Sequence, residues 1–497
     1  MKRRTKALKK IMNKLAAVFA AGVTAVCCLP SGAFADELQG AEEPLYDGSF
    51  YYELNDDHTY TITKCVAITV TEVPSIRNGT AITRIGEGAF VNCTGIGGLT
   101  IPDSVTEIEK NAFYDCPALK KITLPRKLKS LGDHAFFGCS SLESIEIPDT
   151  VTVIEPYTFA LCDNLGEVKL GDNVIEIGDY AFYQCGRISS FRLPASLETI
   201  GDNAMGSWFS VSDIDTSANS SFVYEDNMLT DKEKTKIYRA SAEAEGELVI
   251  PEGVNEICSG AFSACAKITA LHMPPTVRTI GDEAFRQCSG LKNVDFSEGL
   301  ETIGMGAFLF DQNILSLNIP TTVRKIDELA FAYCMKLNKI ILPEGAETIG
   351  KEAFLVCDEL KQISIPKSVK EIGENALGYT VENSERQKLE GFNMSVFSGS
   401  AGEKYAKSEK IDYTVTDVNI KRVAFIAAMI GLIIAALVFA VTLMKRSKKT
   451  ADAGVRKAAK KAKELEEEKK YRKIMADEEQ SSADEEKEQE VSESEDE

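Results

Sequence analysis

A period of 23 residues constrains this chain more than any other feature. Phenylalanine, usually preceded by alanine, recurs at this interval from Phe90 to Phe182 and again from Phe262 to Phe354. Met205 and Leu377 take the next place in the two series, so the chain holds twelve units. One period and an insertion of 34 residues separate the two series. A 23-residue unit cannot bury its apolar side chains alone, so the period predicts units that stack into one continuous core.

Each unit carries two apolar patterns besides the phenylalanine. The first is apolar-x-apolar-Pro, as in residues 99–102 and 363–366, and its alternation predicts a short strand with one buried face. Proline has no N–H for a strand ladder and therefore ends the strand. The second is apolar-x-x-apolar, as in Val105 and Ile108, which we assign to the return path together with the phenylalanine turn. The predicted fold is a repeat solenoid, α/β to mainly β, with one short parallel strand per coil.

One motif carries a resemblance to a known family. It reads Ile-Pro-Asp-x-Val-Thr-x-Ile-x-x-x-Ala-Phe-x-x-Cys-x-x-Leu at residues 101–119 and, with Thr in place of Ala, at 147–165. On this motif the chain resembles the BspA-like leucine-rich repeat surface proteins, which are bacterial and anchored by a single membrane pass. The resemblance covers about residues 46–415 and implies a leucine-rich-repeat solenoid. Because such relatives are mostly described as surface adhesins or are uncharacterised, it implies binding at the cell surface without naming a ligand.

Both ends of the chain resemble targeting signals. Residues 1–35 combine a basic start, an apolar stretch and the cleavage pattern Ala33-Phe34-Ala35, which together predict a secretory signal peptide. An uncleaved N-terminal anchor is the alternative. The 22 residues Val423–Met444 contain no charge, which is long enough for a transmembrane helix, and four basic residues follow between 445 and 449. We therefore expect a single-pass plasma-membrane protein with an extracellular N-terminal part and a cytoplasmic tail.

The sequence divides into eight predicted segments. They are a signal peptide (1–35), an N-terminal hairpin or cap (36–81), leucine-rich repeat block 1 (82–210), an inserted hairpin (211–246), leucine-rich repeat block 2 (247–380), a C-terminal cap and linker (381–420), a transmembrane helix (421–445) and a charged cytoplasmic tail that is helical and then disordered (446–497).

The net charge of the predicted extracellular part bears on which class of partner it can bind. Residues 36–420 carry 33 basic and 59 acidic residues, a net charge of −26. Nucleic acid is not an expected partner, because binding phosphates requires a basic face. The expected partners are an extracellular protein or glycan, and the membrane through Val423–Met444.

The cysteines follow the repeat. Nine of the 13 lie three residues after the phenylalanine position, for example Cys116 and Cys139. Consecutive members are one coil apart and point in parallel, which is poor geometry for a disulfide. We therefore favour a row of buried thiols over a disulfide chain or a row of metal ligands. Trp208, Asp311 and Thr380 replace cysteine in three units.

No pattern in the sequence indicates a catalytic, cofactor or metal site, and we expect no enzyme. His134 is interpreted as a residue of the turn. The candidate site is instead the row of residues that point outward from successive strands, because solenoids bind partners on extended faces. Lys169 and Arg192 form a small basic spot in this row. Trp208, at the last unit before the insertion, is a second candidate contact residue, and packing of the inserted hairpin is the alternative and commoner role. The candidate binding residues are Glu146, Lys169, Arg192, His272, Asp295, Asn318 and Trp208.

Three functions are consistent with these features. The first is a membrane-anchored surface adhesin or macromolecule-binding protein that uses the solenoid face. The second is an envelope scaffold or spacer without a specific ligand. The third is a single-pass surface sensor that signals through the charged tail, although the tail contains no recognisable output domain.

Overall fold

The computed structural model describes residues 45–417, Met429 and residues 460–473. The chain divides into two compact units, residues 1–417 and 418–497, and in the second unit residues 460–473 are helical. The predicted signal peptide, most of the segment Val423–Met444 and the acidic end of the tail lie outside the described residues. Among the residues that are described, no helix is long and apolar enough to cross a membrane.

The apolar-x-apolar-Pro pattern forms a ladder of short parallel strands, here called the first ladder. Partners are one period apart, as in Ile145 and Val168, and in nine of the twelve strands a proline lies two residues after the strand ends. In the three-residue strands the middle residue points inward and its two neighbours point outward. The strands of block 1 are β6 Gly98–Thr100, β8 Lys121–Thr123, β10 Ser144–Glu146, β12 Glu167–Lys169, β14 Ser190–Arg192 and β16 Asp213–Asp215. Those of block 2 are β20 Glu245–Val249, β22 Lys267–His272, β24 Asn293–Asp295, β26 Ser316–Asn318, β28 Lys339–Ile341 and β30 Gln362–Ser364.

The return path contains a second parallel ladder that the sequence did not reveal. Its two-residue strands include the second apolar residue of the apolar-x-x-apolar pattern, as in Ile108, which pairs with Leu131. Because each coil contributes strands to both ladders, the solenoid is mainly β. The strands are β7 Glu107–Ile108, β9 Ser130–Leu131, β11 Val153–Ile154, β13 Glu176–Ile177, β15 Thr199–Ile200, β21 Glu256–Ile257, β23 Thr279–Ile280, β25 Thr302–Ile303, β27 Lys325–Ile326, β29 Thr348–Ile349 and β31 Glu371–Ile372.

Additional strands begin, interrupt and end the solenoid. At the start, β2 pairs with both β1 and β3, β3 runs parallel to β5, and β5 pairs with β7. These are β1 Leu45–Tyr46, β2 Phe50–Leu54, β3 Tyr60–Cys65, β4 Ile76–Arg77 and β5 Thr80–Ile85. The insertion forms an antiparallel meander whose last strand joins β21, namely β17 Phe222–Glu225, β18 Met228–Asp231 and β19 Lys236–Ala240. The end consists of β32 Tyr379–Glu382, β33 Glu385–Lys388, β34 Asn393–Val396, helix α1 Ala401–Glu409 and β35 Asp412–Val415.

The repeated phenylalanines form two continuous stacks in the core. Neighbouring rings in the series 90–182 and 262–354 lie face to face with centroids 4.7–5.4 Å apart. Each ring is at most 1% exposed. The backbone supports the stack, since the N–H of Phe113 donates to the carbonyl of Ala135 in the next coil at 2.8 Å. The predicted leucine-rich-repeat-like solenoid with stacked 23-residue coils is confirmed.

A row of thiols runs beside the phenylalanine stack. Seven of the thiols donate to the carbonyl of the phenylalanine 26 residues earlier, as Cys139 does to Phe113 at 3.2 Å. All 11 cysteines of the described residues are free, and all but Cys93 are buried. The prediction of a buried thiol row is confirmed. The row is structural, because each thiol adds a buried hydrogen bond to a phenylalanine carbonyl. Six of these seven carbonyls also accept the N–H of the residue three positions later, as Phe136 accepts from Cys139 at 3.2 Å.

Candidate binding surface

The outward residues at the C-terminal ends of the first-ladder strands form one row on each block, here called the outer row. Hydrogen-bonded pairing is interrupted between β12 and β14 and between β28 and β30. In β10, Ile145 is 3% exposed, whereas Ser144 and Glu146 on either side of it point away from the core. Strand alternation therefore places Glu146 in register with Lys169, and places His272 in register with Asp295. Six of the seven predicted residues lie in this row: Glu146, Lys169, Arg192, His272, Asp295 and Asn318.

Opposite charges neutralise one another along the row. Lys169 forms an ion pair with Glu146, and this hydrogen bond raises the pKa of Lys169. Arg192 lies 3.8 Å from Asp172 and 3.9 Å from Asp215, and the side chains of both ion-paired basic residues are more than 60% exposed. The predicted basic spot is therefore present in the sequence but is balanced by carboxylates in the structure. Exposed pairs of this kind contribute little stability, so their side chains are free to exchange partners.

The row of block 2 mixes polar and apolar groups. Nδ1 of His272 lies 3.5 Å from Oδ2 of Asp295, whose side chain is 77% exposed. Asn318 is exposed and pairs in register with Ile341, which is 51% exposed. Val249, at the end of β20, is 64% exposed. The outer row thus offers charged, amide and aliphatic contacts on one rigid sheet.

Trp208 does not belong to this surface. Its side chain is 0% exposed, and its Nε1–H donates to the carbonyl of Phe182 at 2.8 Å. This is the acceptor that a cysteine uses at the same place in other coils. The prediction of Trp208 as a contact residue is therefore wrong, because the indole acts as a larger substitute for the thiol. Its ring packs on Phe191 instead, with centroids 5.1 Å apart.

The two blocks meet through a buried polar network that the period does not predict. The hydroxyl of Tyr183 donates to Glu283 at 2.8 Å, and Arg286 donates to Ser207 at 3.0 Å. Arg286 also lies 3.6 Å from Glu283, and both side chains are at most 10% exposed. Tyr183 and Glu283 are 100 residues apart in sequence, and Ser207 and Arg286 are 79 apart. The network therefore links block 1 to block 2.

The insertion also opens a cavity of about 340 Å³ beside β20. Leu248 and Ile268 contribute apolar wall, and Asp226, Glu245 and Glu247 contribute carboxylates. Within residues 45–417 and 460–473, no group of three or more His, Cys, Asp or Glu side chains could hold a metal ion. The geometry is that of an extended contact surface.

Comparison with known proteins agrees with this architecture. The family model described as "BspA type Leucine rich repeat region" matches residues 69–226 and 255–384, with six copies. A solved leucine rich cell surface protein from Faecalibacterium prausnitzii A2-165 is 29% identical, with a TM-score of 0.54, covering 67% of this chain and 95% of that chain. The pneumococcal vaccine antigen PcpA shares the fold at 19% identity and a TM-score of 0.53, covering 76% of this chain and 99% of that chain. No curated protein matches the sequence. The chain belongs to the BspA-type leucine-rich repeat family.

Proposed function

We propose that this protein is an adhesin or macromolecule-binding protein of the bacterial surface, anchored by Val423–Met444, and that its outer row contacts an extracellular protein or glycan. The observation that carries the proposal is the contrast between interior and exterior of the first ladder. The interior repeats the same apolar residues, whereas the outer row changes residue type from coil to coil and stays exposed. A constant scaffold with a variable exposed row suits a recognition surface.

Two comparisons support a location at the cell surface. The Faecalibacterium relative is described as a cell surface protein, and the pneumococcal neighbour as a vaccine antigen. The predicted signal peptide and the predicted transmembrane helix would deliver residues 36–420 to the outside and keep them attached. The proposal assigns this surface a non-enzymatic role, and it is supported by an outer row that pairs no nucleophile with a base.

The outer row also suggests how to test binding without unfolding the protein. Reversing Lys169 alone would place two acidic side chains opposite each other, so loss of binding could reflect local repulsion. The double exchange Glu146→Lys with Lys169→Glu preserves the ion pair and the net charge but inverts the pattern. Arg192→Gln removes a charge, and Lys120→Gln, outside the outer row, is its matched control.

The assay is saturable binding of the purified protein to immobilised extracellular matrix proteins and to cells. We expect saturable binding that the double exchange and Arg192→Gln reduce, while Lys120→Gln binds normally. Absence of saturable binding, or unchanged binding by the outer-row variants, would contradict recognition by this row and would favour the scaffold.

A further inference from the structure

A stripe of aromatic side chains lies on the turn edge of block 1, apart from the outer row. His134, Tyr157 and Tyr180 occupy the same place in three consecutive coils, two residues before the core phenylalanine position. Their rings stack with centroids 4.6 and 4.9 Å apart. Tyr114 and Phe137 form a second row, stacked at 4.9 Å, and Phe137 lies 5.3 Å from His134. We call these five half-buried residues the aromatic stripe.

The backbone at this place disfavours large side chains. His134, Tyr157 and Tyr180 have φ angles of 56°, 56° and 55°, in the left-handed region. Six other coils of the same solenoid use glycine or asparagine there, as at Gly88 and Asn203, and three coils of block 2 use Glu283, Leu329 and Glu352. No other coil places an aromatic side chain there, so the three successive rings form a stack that the turn itself does not require.

Stacking determines which part of each ring is available. Because the faces of neighbouring rings cover one another, ring edges and the Tyr157 hydroxyl remain for a partner. The Tyr180 hydroxyl instead interacts with Asn203, and the Tyr180 ring packs edge to face with Tyr183. Ring edges provide apolar contact, and phenolic oxygens accept hydrogen bonds. Tyrosine in such partly buried positions is a frequent anchor of protein interfaces.

A row of carboxylates flanks the stripe. Asp133 lies beside His134, with its Oδ1 2.5 Å from Nδ1, and the N–H of Asp202 donates to Asp179 at 2.8 Å. Burial, together with the charges of Glu176 and Asp133, raises the pKa of Glu155. Lys110 pairs with Asp133 at 2.9 Å, but residues 155, 179 and 202 add further negative charge along the same edge. This edge therefore has complementary charge for a cationic partner.

We propose that the aromatic stripe and its carboxylates bind an extended polypeptide segment rich in lysine and arginine on a partner protein. The aliphatic stems of lysine and arginine would pack on the ring edges while their charged ends reach the carboxylates and phenolic oxygens. A second copy of this chain does not fit, because two bodies with a net charge of −26 repel each other. The proposal is independent of recognition by the outer row.

The test uses the full chain in detergent and fluorescently labelled nona-arginine, with binding followed by anisotropy. The key variant is the triple substitution His134→Asn, Tyr157→Asn and Tyr180→Asn, because asparagine suits positive φ and preserves the net charge at neutral pH. We expect binding at the stripe to weaken at least about tenfold. Circular dichroism and thermal melting establish that the variant is folded.

A charge variant keeps the test decisive if the triple variant does not fold. Glu155→Gln with Asp179→Asn removes two charges beside the stripe. The control, Asp213→Asn with Glu247→Gln, removes two charges from exposed residues of first-ladder strands, away from the stripe. We expect the first pair to weaken binding several-fold more than the second.

Mapping separates this surface from the acidic residues 477–497, which also attract a cationic probe. A photoreactive nona-arginine should cross-link to peptides within residues 110–185. Cross-links confined to other parts of the chain, absence of binding, or equal affinity of wild type and both stripe variants would overturn the proposal.

Discussion

Asp311 gives the sharpest prediction for stability, because it is a carboxyl group in the thiol row. It replaces cysteine at the place from which neighbouring thiols donate to a phenylalanine carbonyl 26 residues earlier, which here is that of Phe285. The residue is 0% exposed, and neither carboxyl oxygen has a hydrogen-bond partner. Only the protonated carboxyl can donate as the thiol does. Burial accordingly raises the pKa of Asp311 well above its usual range.

The sign of the pH dependence follows from this shift. Below about pH 4 both the native and the unfolded chain hold the proton, so Asp311 imposes no ionisation penalty. As the pH rises, the unfolded chain releases the proton while the native chain retains it. The free energy of unfolding then falls by about 1.4 kcal/mol per pH unit until the native pKa is reached. The nearby Cys288 and Cys334 thiols, whose pKa values burial also raises, stay neutral over this range.

Asp311→Asn isolates the effect, because an amide can donate to the carbonyl and does not titrate. Urea unfolding of wild type and variant at pH 5, 6 and 7, followed by circular dichroism, should show a gap that widens by about 1.4 kcal/mol per unit in favour of the variant. Asp213→Asn, on the exposed face, controls for the loss of one charge. A gap that does not change with pH would refute the neutral, buried carboxyl.

Two other buried features give direct predictions. Cys162→Ala should lower the free energy of unfolding by about 1 kcal/mol in chemical denaturation, because the Phe136 carbonyl loses one of its two donors and keeps the N–H of Cys139, whereas Cys162→Ser should cost less since its hydroxyl can still donate. Arg286→Met should destabilise the protein by about 3–5 kcal/mol by leaving Glu283 buried without its cation, and adding Glu283→Gln should recover part of this loss in a double-mutant cycle; additive losses would contradict the coupling.

The period was sufficient to predict the fold and the outer row, because both depend on apolar residues at fixed spacing. The ion pair of Glu146 and Lys169 also follows from the period, because the two residues are one period apart, although residue type alone predicted a basic spot at Lys169. The burial of Trp208 also follows from the period, because Trp208 takes a cysteine position in the buried thiol row. Its packing on Phe191 does not, because no other coil places an aromatic pair at these two positions.

The polar network between the two blocks could not be predicted from the 23-residue period, for a different reason. Tyr183 and Glu283 are 100 residues apart, and the insertion breaks the phase that relates one coil to the next. Likewise, the second ladder forms from two-residue strands, which are too short for alternation to identify.

Asp311 and the aromatic stripe both differ from the residue types that other coils place at the same positions. A solenoid gives each position nearly the same surroundings in every coil, so neighbouring coils provide an internal reference for what the position requires. At the thiol position the reference is a small neutral donor, and Asp311 can meet it only by keeping its proton. At the turn position the other coils use glycine, asparagine, glutamate or leucine, and only His134, Tyr157 and Tyr180 place aromatic rings there, on an edge that solvent reaches. A buried residue of unusual type can be accommodated only by the protein itself and therefore affects stability. An unusual residue that solvent reaches can instead contact a partner, which is why the aromatic stripe, rather than Asp311, points to binding.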